Sequence, residues 1–215
     1  MTGESLDTRG SGEKAIMDMK IGLKNKTIKS KNIHAILTPP KELQGRMGGV
    51  RIKHAHFDIA PIGVYFPPKT HLVAERTRYT ATVDKICKEL DKWLCSLPAR
   101  CIPIIGTDLN DLLIKWPTSP DSGGIEIANR DEKYAANKFH TILAKHRLSA
   151  VNTMVGLAEH TYVGLHNTSL IDYVCMPSDS LIRVHTCKVL HKAGHELCPF
   201  QKVYKFMDHK PILTQ

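Results

Sequence analysis

The stretch Cys101-Ile102-Pro103-Ile104-Ile105-Gly106-Thr107-Asp108-Leu109-Asn110-Asp111 decides how this chain is read. Its first half is a short, isoleucine-rich apolar run, the pattern of a buried strand. It leads directly into Gly106-Thr107 and then into carboxylates and a carboxamide. If the backbone stays extended, Asp108 and Asn110, two positions apart, point to the same side of a sheet and toward one site above it. A carboxylate beside a carboxamide can orient an attacking water and hydrogen-bond a phosphate oxygen. The same pair also closes strands as an Asx turn, because these side chains bond the backbone two residues on.

Upstream of this strand, apolar residues fall at Tyr79, Val83, Ile86, Leu90, Trp93, Leu94 and Leu97, a spacing that writes one stripe on an α-helix over 75–97. Leu97-Pro98 ends it, since a residue before proline leaves the helical region. Downstream, 117–124 reads as loop, and a second helix is expected from Asp131 to His146 with Tyr134, Ala135, Phe139, Ile142 and Leu143 inside. Toward the N-terminus, Ala35-Ile36-Leu37, Val50-Arg51-Ile52 and 59–66 read as strands, with Gly48-Gly49 as a turn. The last third returns to β character at 150–155, 170–176 and 181–190, the alternation being clearest at Ile182, Val184 and Thr186. Strands bracketing two helices predict an α/β or α+β layered domain over 32–215. Residues 1–31, polar and without an aromatic, read as a flexible leader.

Two further places put chemistry in a strand-like setting. Asp172 sits between Ile171 and Tyr173 in an apolar strand. A carboxylate buried there without a partner costs several kcal/mol unless it faces outward. Asp208-His209 joins a carboxylate suited to Mg²⁺ to an imidazole that can bind or protonate a phosphate, or act as a base. His209 is a sensible partner for Asp172. Taken alone, Asp208-His209 is more often a surface turn before Pro211 than a site.

Lys and Arg number 30 against 21 Asp and Glu, a formal charge of +9 spread along the chain, which suits a surface that meets a polyanion. Nucleic acid is the natural partner. Hydrophobic residues at 42% and charged residues at 24% place the chain among ordinary globular proteins. No apolar run approaches the ~20 residues that span a bilayer, and no secretory h-region is present, so the expectation is intracellular, nuclear or cytoplasmic, without a membrane. Six cysteines without a C-x-x-C pair then read as reduced thiols. Cys187, His191, His195 and Cys198 have ligand types for tetrahedral zinc, at a spacing that is not one of the common ones.

The order strand-Gly-x-Asp-x-Asn, strand-Ile171-Asp172-Tyr173, then Asp208-His209 before a last strand resembles the endonuclease/exonuclease/phosphatase superfamily over roughly 45–212. Arg46-Met47-Gly48-Gly49-Val50 and Val64-Tyr65-Phe66-Pro67-Pro68 are similar to its retrotransposon branch. The resemblance implies a four-layer β-sandwich flanked by helices, DNase I-like, and an endonuclease that hydrolyses DNA phosphodiesters with Mg or Mn. By it, Asp108 positions the attacking water, Asn110 holds the phosphate, and His209 contacts phosphate or transfers a proton. Asp172 orients His209, Tyr65 reaches the scissile group, and Asp208 serves the metal. Asn152-Thr153, Thr161-Tyr162 and Asn137 also resemble family positions. An active-site Asn strand and a strand carrying the metal-binding Glu are not found before Gly48, and Glu42 lies too close to Gly48-Gly49 to fill that place. Thr107 stands where Gly is usual, and Met207 where Ser is. The expectation is therefore an N-terminally truncated copy of impaired activity. The alternatives are a catalytically dead nucleic-acid-binding remnant and a phosphomonoesterase of the same superfamily.

Overall fold

The computed structural model describes residues 32–70, 72–113, 133–155, 159–163, 168–190 and 209–215. The expected leader at 1–31, the 117–124 loop, Asp131, Asp208, His191, His195 and Cys198 lie outside these residues.

Apolar alternation builds the centre of the molecule. Strands β1 (Ile33–Leu37), β2 (Met47–Lys53), β3 (Asp58–Tyr65), β4 (Ile102–Asp108), β5 (Leu148–Ala150) and β8 (Asp172–Pro177) form one sheet in the order β1-β2-β3-β4-β8-β5. Only β3 and β4 run parallel. Parallel neighbours require a crossover, and helix α1 (Val73–Ser96) supplies it. Its predicted stripe is buried at Val83, Ile86, Leu90, Trp93 and Leu94. Helix α2 (Tyr134–Lys145) buries Ala135, Phe139, Ile142 and Leu143. The helices' apolar faces share one core with Ile62, Val64 and Phe66 from β3 and its end, Ile105 and Leu109 from β4 and its end, and Tyr173 and Cys175 of β8. Phe66 meets Phe139 edge-on, with centroids 5.6 Å apart.

Because side chains alternate across a strand, burying one set on the helices commits the other set to the opposite face. Tyr65, Asp108 and Asp172 belong to that second set. Val64, Thr107 and Tyr173, their neighbours in sequence, are buried.

Three readings of local structure are corrected. Gly48-Gly49 is not a turn but part of β2; a Cβ on Gly49 would stand 3.0 Å from Pro61 O and 3.2 Å from a Leu37 methyl, so glycine is there for close strand approach. The chain turns instead at 54–57, where His54 N–H donates to Phe57 O. The 150–155 run is strand only to Ala150 and then forms a helical turn, α3 (Val151–Met154), because the Asn152 side chain rather than the backbone pairs with β8. The 181–190 run begins in a 3-10 turn over Ser178–Arg183, where Pro177 and the Ser-Asp-Ser sequence favour a bend. Ile182, central to the expected alternation, is 90% exposed. Only β9 (Cys187–Val189) remains as strand, paired antiparallel with β10 (Ile212–Thr214); β6 (Tyr162–Val163) pairs with β7 (Thr168–Ser169).

Candidate active site

The parallel β3–β4 pairing sets Tyr65 beside Asp108, and the antiparallel β4–β8 pairing sets Asp108 beside Asp172. The three therefore occupy one rung at the end of the sheet, on the face away from the helices. The adjacent rung is Gly63, Gly106 and Val174, with Gly48 opposite Gly63. A Cβ on Gly106 would meet nothing within 4 Å, so the surface beside the carboxylates is open.

His209 reaches this rung through the chain that precedes β10. An isolated bridge joins it to Tyr162, and Lys210 N–H donates to Thr161 O at 2.7 Å. Thr161 is fully buried, and its hydroxyl oxygen accepts the N–H groups of Ile171 and Asp172 at 3.2 and 3.0 Å. One threonine thus ties the His209 segment to the start of β8. His209 Nδ1 lies 3.1 and 3.2 Å from the two Asp172 carboxylate oxygens, and its Nε2 lies 3.7 Å from Asp108 Oδ2. The carboxylate acceptor at Nδ1 favours the tautomer whose Nε2 is turned toward Asp108 with its lone pair available. The Tyr162 ring packs edge-on against the imidazole at 5.3 Å.

Asn110 departs from the extended geometry read from the sequence. Its φ is 51°, a left-handed conformation that asparagine tolerates, and its N–H donates to Asp108 Oδ1 at 3.1 Å. The Asx turn and the site coexist. The turn aims the carboxamide back across the sheet, so Nδ2 donates to Phe66 O at 2.8 Å and the side chain also hydrogen-bonds Tyr65. Burial and then the Asp108 charge push the Tyr65 phenol above its usual pKa, against the opposing pull of Arg46 and Asn110. Asp111 is a structural residue: its carboxylate accepts Ala136 N–H at the start of α2 and Leu112 N–H, and burial pushes its pKa up.

Asn152 and Arg46 have clearer parts than the sequence showed. Asn152, 4% exposed, clamps β8 by donating to Asp172 O and accepting Val174 N–H, which fixes the backbone under Asp172. Arg46 was legible only as part of the Arg46–Val50 resemblance. Its carbonyl accepts Tyr65 N–H, its guanidinium carbon lies 5.4 Å from the Tyr65 ring centre, and its Nη1 is buried without a hydrogen-bond partner among the described residues. Burial lowers its pKa. A buried cationic donor lacking an acceptor, one strand from Tyr65, is suited to an anion. Asn137 sits in α2.

Asp108, Asp172 and His209 each offer a ligand atom within 4.8 Å of the others. The two carboxylates of this group fit a hard divalent cation such as Mg²⁺ or Mn²⁺, whereas an imidazole is not a preferred Mg²⁺ ligand. This donor set contains no glutamate. Of the zinc-type constellation, the described member is Cys187, buried in β9 with its sulfur 3.4 Å from the Thr214 hydroxyl.

By sequence, no family model and no curated protein matches the chain. Solved structures do match. An AP endonuclease from Archaeoglobus fulgidus superposes with a TM-score of 0.54 at 16% identity, over 80% of this chain and 65% of that one. The endonuclease domain of TRAS1, a telomere-specific non-LTR retrotransposon, gives 0.51 at 14% identity, over 86% and 67%. The 3′ phosphatase NExo from Neisseria, bound to product DNA hairpin, gives 0.57 at 10% identity, over 85% and 70%. All three belong to the endonuclease/exonuclease/phosphatase superfamily, and the fold of this chain is its DNase I-like fold. The chain spans 65% of the length of the archaeal enzyme.

Proposed function

We propose that the chain is a divalent-metal-dependent phosphodiesterase acting on DNA, of the retrotransposon endonuclease type. The observation that carries this reading is the meeting of Asp108, Asp172 and His209, from three distant segments, on one open rung of a DNase I-like sheet. A cation held by the Asp108 and Asp172 carboxylates would neutralise charge on the phosphoryl oxygens. Asp108 orients the attacking water. His209, held by Asp172 through Nδ1, uses Nε2 to bind a phosphate oxygen or move a proton. Tyr65 and Arg46 face phosphate oxygens from the neighbouring strands. Asn110, engaged by Phe66 O and Tyr65, holds the Asp108 turn and the phenol in place and contacts a phosphate oxygen with its other Nδ2 hydrogen. The +9 charge draws the polyanionic substrate.

Nicking of supercoiled plasmid with and without Mg²⁺ tests this. Wild-type protein nicks only with the cation, and His209→Ala loses the activity; equal nicking by the variant refutes the assigned roles. That the donor set among the described residues holds no glutamate favours a second reading, a remnant that binds nucleic acid without cutting it. That reading predicts salt-sensitive DNA binding with no metal-dependent product.

A further inference from the structure

A second cluster of metal-binding groups lies at the other end of the molecule. Asp91 and Cys95 stand one turn apart on the last third of α1, and His146 caps the C-terminus of α2. Their ligand atoms, a carboxylate oxygen, a thiol sulfur and an imidazole nitrogen, all fall within 4.8 Å of one another. The topology separates them from the Asp108 site. α1 ends where β4 is about to begin, whereas Asp108 ends that strand. His146 precedes Leu148, which pairs with Pro177 at the end of β8 opposite Asp172.

We infer that Asp91, Cys95 and His146 form a site for a thiophilic divalent cation of the zinc class, clamping α1 to α2. Three features carry this. The donor set of one sulfur, one nitrogen and one oxygen is that of a tetrahedral site with solvent in the fourth position, and its thiolate selects against Mg²⁺ and Ca²⁺. The spacing is close to that needed: donors at tetrahedral zinc stand roughly 3.5 Å apart, reached from the observed spread by small side-chain rotations. The ligands are pre-positioned and reachable. Asp91 Oδ1 already meets His146 Nε2 at 2.7 Å, and Asp91 Oδ2 is steadied by Lys145 Nζ at 2.7 Å. Cys95 is exposed, while Cys87, Cys101, Cys175 and Cys187 are buried. Binding replaces the Cys95 thiol proton, which leaves to solvent, and the His146 Nε2 proton, which a neutral ring takes up again at Nδ1 and an imidazolium gives to solvent, and puts the cation between Asp91 and His146 where they now share a hydrogen bond. Lys145 keeps its oxygen.

Titration of the reduced, metal-stripped full chain with Co²⁺ distinguishes this site from every other, because only a cysteine ligand adds a near-ultraviolet thiolate-to-cobalt band to the visible bands of four-coordinate cobalt. Wild-type protein is expected to show that band and to lose it when Zn²⁺, but not Mg²⁺, is added. Cys95→Ser abolishes the band, His146→Ala weakens cobalt binding by at least about tenfold, and Cys198→Ser leaves the band intact. Zn²⁺ raises the melting temperature of the wild type by several degrees and leaves that of Cys95→Ser unchanged. The inference is overturned if the wild type lacks the band, if Cys95→Ser keeps it, or if Cys198→Ser rather than Cys95→Ser removes it. An equal zinc-dependent rise in melting temperature in Cys95→Ser also overturns it.

Discussion

His209 illustrates how much one side chain depends on its supports. Its ring is gripped at Nδ1 by Asp172, flanked by Tyr162 and anchored through the backbone to Thr161. Replacing Asp172 by Asn keeps the shape but offers the ring a weaker, mixed donor and acceptor partner. We expect Asp172→Asn and His209→Ala each to lower plasmid nicking by about 10²–10⁴-fold, the range for a positioned acid or base, while DNA affinity in a binding assay falls far less. Arg46 makes a different prediction because its charge faces substrate rather than the reacting proton. Arg46→Met keeps the apolar stem and removes the donor, so binding should weaken across all DNA sequences, and the slope of log affinity against log salt should drop by about 1. An unchanged slope would separate Arg46 from the phosphate.

At the scale of elements, the sheet's glycines fall into two kinds that substitution can tell apart. Gly49 is pressed against Pro61 O, Ile62 and Leu37, whereas a Cβ at Gly106 enters open space. Gly49→Ala should cost about 1–3 kcal/mol in urea denaturation through forced strand separation, and Gly106→Ala should cost nothing measurable. Helix α1 depends on burial: Leu90 is fully enclosed between the sheet and α2, and Leu90→Ala should lose about 2–5 kcal/mol. The stripe that buries it was legible because a 3.6-residue period repeats over about five turns. The Ile182–Thr186 alternation misled for the opposite reason, being too short to outweigh the turn chemistry of Pro177-Ser178-Asp179-Ser180 that precedes it.

For the whole molecule, charge sets the response to acid. Asp58 is held far below the usual carboxylate range, chiefly by hydrogen bonds from Arg51, and Asp91 is lowered chiefly by Lys145. A carboxyl whose folded pKa is depressed lends stability that is present above its unfolded value, about 4, and is lost as the pH falls toward the folded value. Asp111, raised by burial, works the other way and is relieved on protonation. The melting temperature should therefore hold near neutrality and fall below about pH 4, and Asp58→Asn should start from a lower value and fall less steeply. A wild-type profile that stays flat through acid would show that these ion pairs add nothing to folding.

Local patterns are enough to reveal α1, the central strands, the Asx turn after Asp108 and the expectation that Asp172 wants an imidazole, because each is set by neighbours a few residues away or by the desolvation of one charge. The rung itself is a product of register. Whether Tyr65, Asp108 and Asp172 share a face depends on which residues of β3, β4 and β8 pair, and a slip of one would send Asp108 into the helix-covered core. The place of the Arg46 guanidinium over the Tyr65 ring, the Asn152 clamp and the Asp91–Cys95–His146 cluster are likewise invisible in one dimension. Their partners lie on other elements, and only packing brings those elements within hydrogen-bonding or metal-binding reach.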